Sequence, residues 1–151
     1  MRFLENQRFW QLLLGTMLVS LAFIAFWPTP VDQPLSVQLA DVLKFLHGHG
    51  VPGWFNYKFV EATANIVLFV PLGFVSTLAF REKHYWHIAA FGLIVSGCIE
   101  LGQLLFLHHR YASPSDIVMN TSGAVIGAVL ATLVTKKGRP AAFRQQAPQK
   151  Q

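Results

Sequence analysis

The sequence has few charged residues and a single cysteine. Only 13% of its 151 residues are Asp, Glu, Lys or Arg, against roughly 25% in soluble domains. A low charge content alone would also fit a buried core, but these charges are gathered into short clusters between long uncharged runs. The lone Cys98 has no partner within the chain, which excludes an internal disulfide framework and a thiolate metal cluster. We expect Cys98 to be a small packing residue.

Long apolar runs occupy most of the chain. A hydrocarbon core about 30 Å thick is crossed by about 20 apolar helical residues. The runs that reach this length are residues 10–27, 60–80, 86–107 and 116–134. Trp10, Trp27 and Trp86 lie at run ends, as tryptophans do in interfacial aromatic belts. The sequence therefore predicts an all-α integral membrane protein, a four-helix bundle formed by residues 1–134.

The first run has an alternative interpretation as a secretory signal peptide, because Arg2 and Arg8 precede it. Its apolar stretch is longer than the roughly 7–15 residues of a signal peptide, and no A-x-A-like cleavage site follows. We therefore expect a retained helix.

The distribution of basic residues predicts the orientation, because Lys and Arg mark the cytoplasmic side. Nine of the twelve lie before the first run, after the second, or in the tail. We expect both termini to be cytoplasmic and the loops 28–59 and 108–115 to lie outside. Within the first of these loops, residues 35–46 are amphipathic and predict a short helix on the membrane surface.

The net charge of +5 does not indicate a nucleic-acid partner. Residues 135–151 form a basic tail without interleaved aromatics or a periodic face. We expect this tail to be disordered in the cytoplasm and to contact anionic lipid headgroups, at about 1 kcal/mol per basic residue.

Polar side chains inside the apolar runs are costly, and by default they face the bundle interior and indicate a site. Glu100 and Gln103 share one helical face, and Asp116 and Asn120 share another. With the predicted orientation, these faces meet in the outer half of the bundle. The candidate ligand-binding residues are Asn65, Glu100, Gln103, Arg110, Asp116 and Asn120. We expect Arg110 to pair with Glu100 or Asp116, since an arginine fork matches a carboxylate.

Some of these residues also have structural interpretations. Ser113, Pro114 and Asp116 fit a helix start, with Asp116 as the capping-box acid. Gly123 and Gly127 have the small-xxx-small spacing of close helix packing. A zinc site of His108 and His109 with the two carboxylates has no distinctive ligand spacing. We expect no metal and no other cofactor.

The order and spacing of several motifs resemble the VanZ-like family. These are Asn65 with the segment LFVPLGF that follows it, Glu100-xx-Gln103, Arg110, S-x-S-D ending at Asp116, and Asn120-xx-Gly123. The family consists of bacterial membrane proteins and is named for a member linked to low-level teicoplanin resistance. The resemblance covers residues 60–134 plus a preceding helix. It implies a location in the bacterial cytoplasmic membrane and an effect on the cell envelope, without a settled chemistry.

The leading hypothesis is a non-catalytic envelope protein whose outward polar pocket binds a lipid headgroup, a lipid-linked glycan or a glycopeptide, and so affects glycopeptide antibiotic resistance. One alternative is a membrane-embedded enzyme that uses Glu100 and Asp116 as acid and base on an envelope lipid. Another is an oligomeric transporter or flippase component, since one such chain is small for alternating access. A homo-oligomer is also compatible with the other two hypotheses.

Overall fold

The computed structural model describes residues 6–27, 36–81, 84–107 and 113–137, and the regular secondary structure in these ranges is entirely α-helical. The helices are α1 (Gln7–Ala25), α2 (Ser36–Gly48), α3 (Tyr57–Phe80), α4 (Tyr85–Phe106) and α5 (Pro114–Lys137). α1, α3, α4 and α5 are each long and apolar enough to cross a membrane. The predicted all-α fold with four long apolar candidate spans is confirmed. The side of the membrane on which each terminus lies stays a prediction.

The four long helices alternate in direction. Short connections join α3 to α4 and α4 to α5. Gln7 at the start of α1 donates from its Nε2 to the carbonyl oxygen of Ala79 at the end of α3, at 3.1 Å. α1 therefore runs antiparallel to α3. We call the end at which α1 and α4 finish and α3 and α5 begin the site end of the bundle.

Polar residues at the helix ends explain why the observed helices exceed the apolar runs by up to three residues. Asn56 caps α3, since its side-chain oxygen accepts the N–H of Phe59 at 3.2 Å, and the helix begins before Val60. α5 continues through Lys137, past residue 135 where the tail was expected to begin. The rest of the predicted tail, residues 138–151, lies outside the described residues.

The centre of the bundle is the contact between α3 and α5, which is the most extensive between any two helices in the described ranges. A Cβ atom added to Gly127 would overlap the carbonyl oxygen of Val70 and lie 2.7 Å from the Phe74 nitrogen. One added to Gly123 would overlap the carbonyl oxygen of Ile66. The backbones approach this closely only because both residues lack a side chain.

The remaining helices pack around this pair. α4 packs mainly on α5 and α1 mainly on α3, with Trp10, Leu14 and Leu21 of α1 buried in the core. The outward surfaces remain apolar, as they are in a protein that faces lipid rather than water. Cys98 is exposed on α4, so the structure does not support the expectation that it is a small packing residue.

Candidate functional site

A cavity at the site end has a volume of about 360 Å³ and walls contributed by all five helices. Its polar lining residues are Tyr57, Glu61, Asn65, Glu100, Gln103, Asp116 and Asn120. Leu21 and Ile24 of α1, Leu39 of α2 and Ile99 of α4 are among its apolar lining residues. The structure thus brings five of the six candidate residues from the sequence to one cavity. Their role in binding a ligand stays a prediction.

Asn120 is the most deeply placed amide of this set. It is only 5% exposed, and its Nδ2 donates to the fully buried Oγ of Ser96 at 2.9 Å. Its Oδ1 is also buried, and no described residue donates a hydrogen bond to it. Leaving a buried acceptor unsatisfied costs about 1–3 kcal/mol. An acceptor on a cavity wall without a described donor can accept a hydrogen bond from a bound ligand.

Glu100 connects the cavity to the start of α5. It is 6% exposed, and its Oε2 accepts the backbone N–H of Ser113 at 2.7 Å. The carbonyl oxygen of Ser113 in turn accepts the N–H of Asp116 at 2.9 Å, which opens the helix. Glu100 therefore satisfies the N–H that the capping-box acid would take.

Asp116 is consequently not the capping acid that its position in the sequence suggested. It is half-buried and lines the cavity, while the hydroxyl of Ser113 pairs with that of Ser115 at 2.7 Å. The structural duty at this helix start belongs to Glu100, which leaves the Asp116 carboxylate on the cavity wall.

Gln103 joins α4 to the end of α1. Its Nε2 donates to the carbonyl oxygen of Ala25 at 2.9 Å, and this contact is buried. One residue earlier, a Cβ on Gly102 would lie 2.5 Å from the ring of Phe26. Gln103 thus has a structural duty in addition to its place in the cavity wall, which was not expected from the sequence.

Asn65 and Glu61 form the α3 wall of the cavity. They are four residues apart and share one helix face, with Asn65 half-buried and Glu61 exposed. Leu39 brings α2 to the same cavity, and Leu43 of α2 is buried. The helix expected at residues 35–46 is confirmed as Ser36–Gly48, and its location on a membrane surface stays a prediction.

Glu61, Ser96 and Leu39 belong to this site but were not among the candidate residues. The spacing carried a signal for two of them, because Glu61 precedes Asn65 by four residues and Ser96 precedes Glu100 by four. Leu39 carried no signal, since an apolar residue in a loop helix does not indicate a site.

Some predicted contacts fall outside the described residues. Arg110, His108 and His109 belong to residues 108–112, which are not described, so the pairing of Arg110 with a carboxylate stays a prediction. Within the described ranges, no group of three His, Cys, Asp or Glu side chains could hold a metal ion.

The model of one protein family, VanZ/LLP1, matches residues 9–135. The chain belongs to the VanZ/LLP1 family. The match contains every residue that lines the cavity, and it includes both residues 60–134, where the resemblance was seen, and the preceding helix α1. Neither the curated proteins nor the solved structures give a match to the chain.

The cavity of this VanZ/LLP1 protein offers a defined chemistry. Its described charged groups are all carboxylates, on Glu61, Glu100 and Asp116, and its other polar groups are amides and the phenol of Tyr57. Carboxylates accept hydrogen bonds, and amides both accept and donate them. In a low-dielectric setting such bonds are stronger than in water. The arrangement therefore favours a ligand that carries several hydrogen-bond donors.

Proposed function

We propose that this VanZ/LLP1 protein is a binding protein of the bacterial cell envelope, which holds the polar headgroup of an amphiphile in the cavity. The observation that carries the proposal is the meeting of Asn65, Glu100, Asp116 and Asn120 in one cavity whose other walls are largely apolar. Polar side chains within spanning helices are costly, and they are retained where they serve a site.

The volume of the cavity limits the size of the ligand that it can hold. Its volume of about 360 Å³ lies at the lower end of the roughly 300–1,000 Å³ of small-molecule sites. A lipid headgroup or the first sugar of a lipid-linked glycan fits this space. A whole glycopeptide does not, so an effect on glycopeptide resistance would arise through an envelope lipid rather than through capture of the antibiotic.

The charged groups of the cavity further restrict the chemical class of the ligand. The described carboxylates favour a headgroup with hydroxyl or amino donors, such as a sugar, over a purely anionic one. The guanidinium of Arg110 would suit an anionic headgroup, but Arg110 is not among the described residues. A glycosylated phospholipid or a lipid-linked sugar combines both features.

The location supports an envelope role. The basic residues predict that the site end faces away from the cytoplasm, and VanZ-like proteins belong to the bacterial cytoplasmic membrane. A headgroup in the outer leaflet of that membrane would then reach the cavity without crossing the bilayer.

The test is the composition of lipids that remain with the purified protein. Asn120→Leu removes the central amide, and Ser122→Ala is the matched control, because Ser122 donates to its own helix at Val118 O and does not line the cavity. Chromatography with mass spectrometry should find one lipid or glycolipid class enriched in the wild type and in Ser122→Ala, and absent from Asn120→Leu. The same lipids in the same proportions in all three samples would contradict the proposal.

A second candidate function, a membrane-embedded enzyme, is favoured by a separate observation. Glu100 and Asp116 are two carboxylates in different environments of one cavity, one buried and one half-buried. General acid and general base catalysis needs two such groups within reach of one substrate. Conversion of the retained lipid during incubation, abolished by Asp116→Asn, would establish catalysis, and an unchanged lipid would exclude it for that ligand.

A further inference from the structure

A second, apolar groove lies between α1 and α4. Its volume is about 290 Å³. Leu18, Leu21 and Ala22 of α1 line one side, and Ile94, Cys98 and Ile99 of α4 line the other. We call it the α1–α4 groove. The groove exists because α1 packs mainly on α3 and makes only sparse contact with α4.

The groove adjoins the polar cavity. Leu21 and Ile99 line both of them, so the two spaces share a wall at these side chains. At the site end, α1 and α4 are held together by the Gln103–Ala25 hydrogen bond and by the close approach of Phe26 to Gly102. Below these contacts the helices part, and Ala22 and Cys98 are exposed. The groove therefore opens sideways along the bundle.

We propose that the hydrocarbon chain of the bound amphiphile lies in the α1–α4 groove while its headgroup occupies the polar cavity. This inference rests on the proposed function and specifies its ligand as a molecule with a long chain that enters sideways from the bilayer. A polar space that adjoins an apolar one matches the two ends of such a molecule.

The physics of the bilayer determines how the two parts contribute. A lipid chain in the bilayer is already in an apolar solvent, so moving it into the groove brings no hydrophobic gain. Selection must therefore come from the headgroup, and the groove positions the chain that is attached to it. It follows that removing polar groups from the cavity should also empty the groove of its specific occupant.

Cys98 supplies the test, because it is the only cysteine of the chain and lines the groove. A small photoactivatable diazirine reagent is attached to Cys98 in native membranes and irradiated, and the captured lipids are identified by mass spectrometry. The matched control is Cys98→Ser with Leu93→Cys, since Leu93 is exposed on α4 and does not line the groove. We expect one lipid class to be enriched several-fold at Cys98, and bulk membrane composition at position 93.

Two further variants complete the experiment. Ala22→Phe fills the groove from an exposed position without touching the polar cavity, and it should abolish the enrichment at Cys98. Asn120→Leu should abolish it as well. Bulk composition at Cys98 in the wild type would overturn the inference, and so would an enrichment that survives either variant.

The result also distinguishes this inference from the proposed function. If the purified protein retains an amphiphile in an Asn120-dependent manner while Cys98 captures only bulk lipid, the inference fails and the proposed function stands. If no amphiphile depends on Asn120, the proposed function fails and the inference fails with it.

Discussion

Replacing Asn120 by leucine tests whether its buried amide serves the stability of the fold or the binding of a ligand. Leucine has a similar size and branching but no amide. The substitution removes the hydrogen bond from Nδ2 to Ser96 Oγ, and it also removes the buried Oδ1 that no described residue satisfies. Since these two losses have opposite effects on stability, their balance shows whether Asn120 serves the fold or the cavity.

The sizes of both effects on stability can be estimated from the contacts of Asn120. A side-chain hydrogen bond between membrane helices contributes about 0.6 kcal/mol on average and about 1.7 at most. An unsatisfied buried acceptor costs about 1–3 kcal/mol. Ser96 can turn its hydroxyl to a carbonyl oxygen four residues earlier, as Ser76 does with Leu72 O at 2.7 Å. We therefore expect ligand-free Asn120→Leu to be as stable as the wild type or up to about 2 kcal/mol more stable.

The assay is reversible unfolding of delipidated protein in mixed micelles, followed by helicity. Delipidation matters because a bound amphiphile stabilises only the wild type, by mass action. Ser96→Ala is the control, and it should be less stable than the wild type because it leaves the Asn120 amide without its acceptor. If ligand-free Asn120→Leu were less stable than the wild type by more than about 1 kcal/mol, Asn120 would serve the fold. That result would exclude the interpretation that its amide serves the cavity.

Other predictions concern the carboxylates, the packing and the topology. Glu100→Ala should lower the free energy of unfolding by about 1.5–3 kcal/mol, because it removes a charged acceptor from the Ser113 N–H; exposed Glu61→Ala should cost less than about 1 kcal/mol in the same assay. Gly127→Leu should reduce the amount of folded protein in the membrane, because it overlaps the α3 backbone; Gly15→Leu, with open space around its Cβ, should not. A C-terminal reporter that works only in the cytoplasm should be active, and activity of a periplasmic reporter would reverse the topology.

Much of the fold follows from the sequence because the bilayer imposes it. A span needs about 20 apolar residues in a helix, so the apolar runs located the four long helices to within three residues. Helical periodicity then placed Glu100 and Gln103 on one face and Asp116 and Asn120 on another. Those faces do meet at one cavity, because polar groups in hydrocarbon turn inward.

The contacts between helices could not be predicted in the same way. The hydrogen-bond partner of Glu100 depends on the rotation and depth of α5 relative to α4. Both are determined by the close approach of α5 to α3 at Gly127. Sequence spacing assigned the α5 cap to Asp116, whereas Glu100 provides it. The exposure of Cys98 was also missed, although Cys98 lies two residues, about 200° of helical rotation, from both Ser96 and Glu100 and so on the opposite face of α4.

Native mass spectrometry of gently solubilised protein shows directly whether the polar cavity binds one amphiphile. We expect the wild type to carry the mass of one lipid or glycolipid of a single class. Asn120→Leu, with the same yield and helicity, should appear at the mass of the bare chain. Identical spectra for the two proteins, whether both carry a lipid or neither does, would mean that the cavity binds no amphiphile through Asn120.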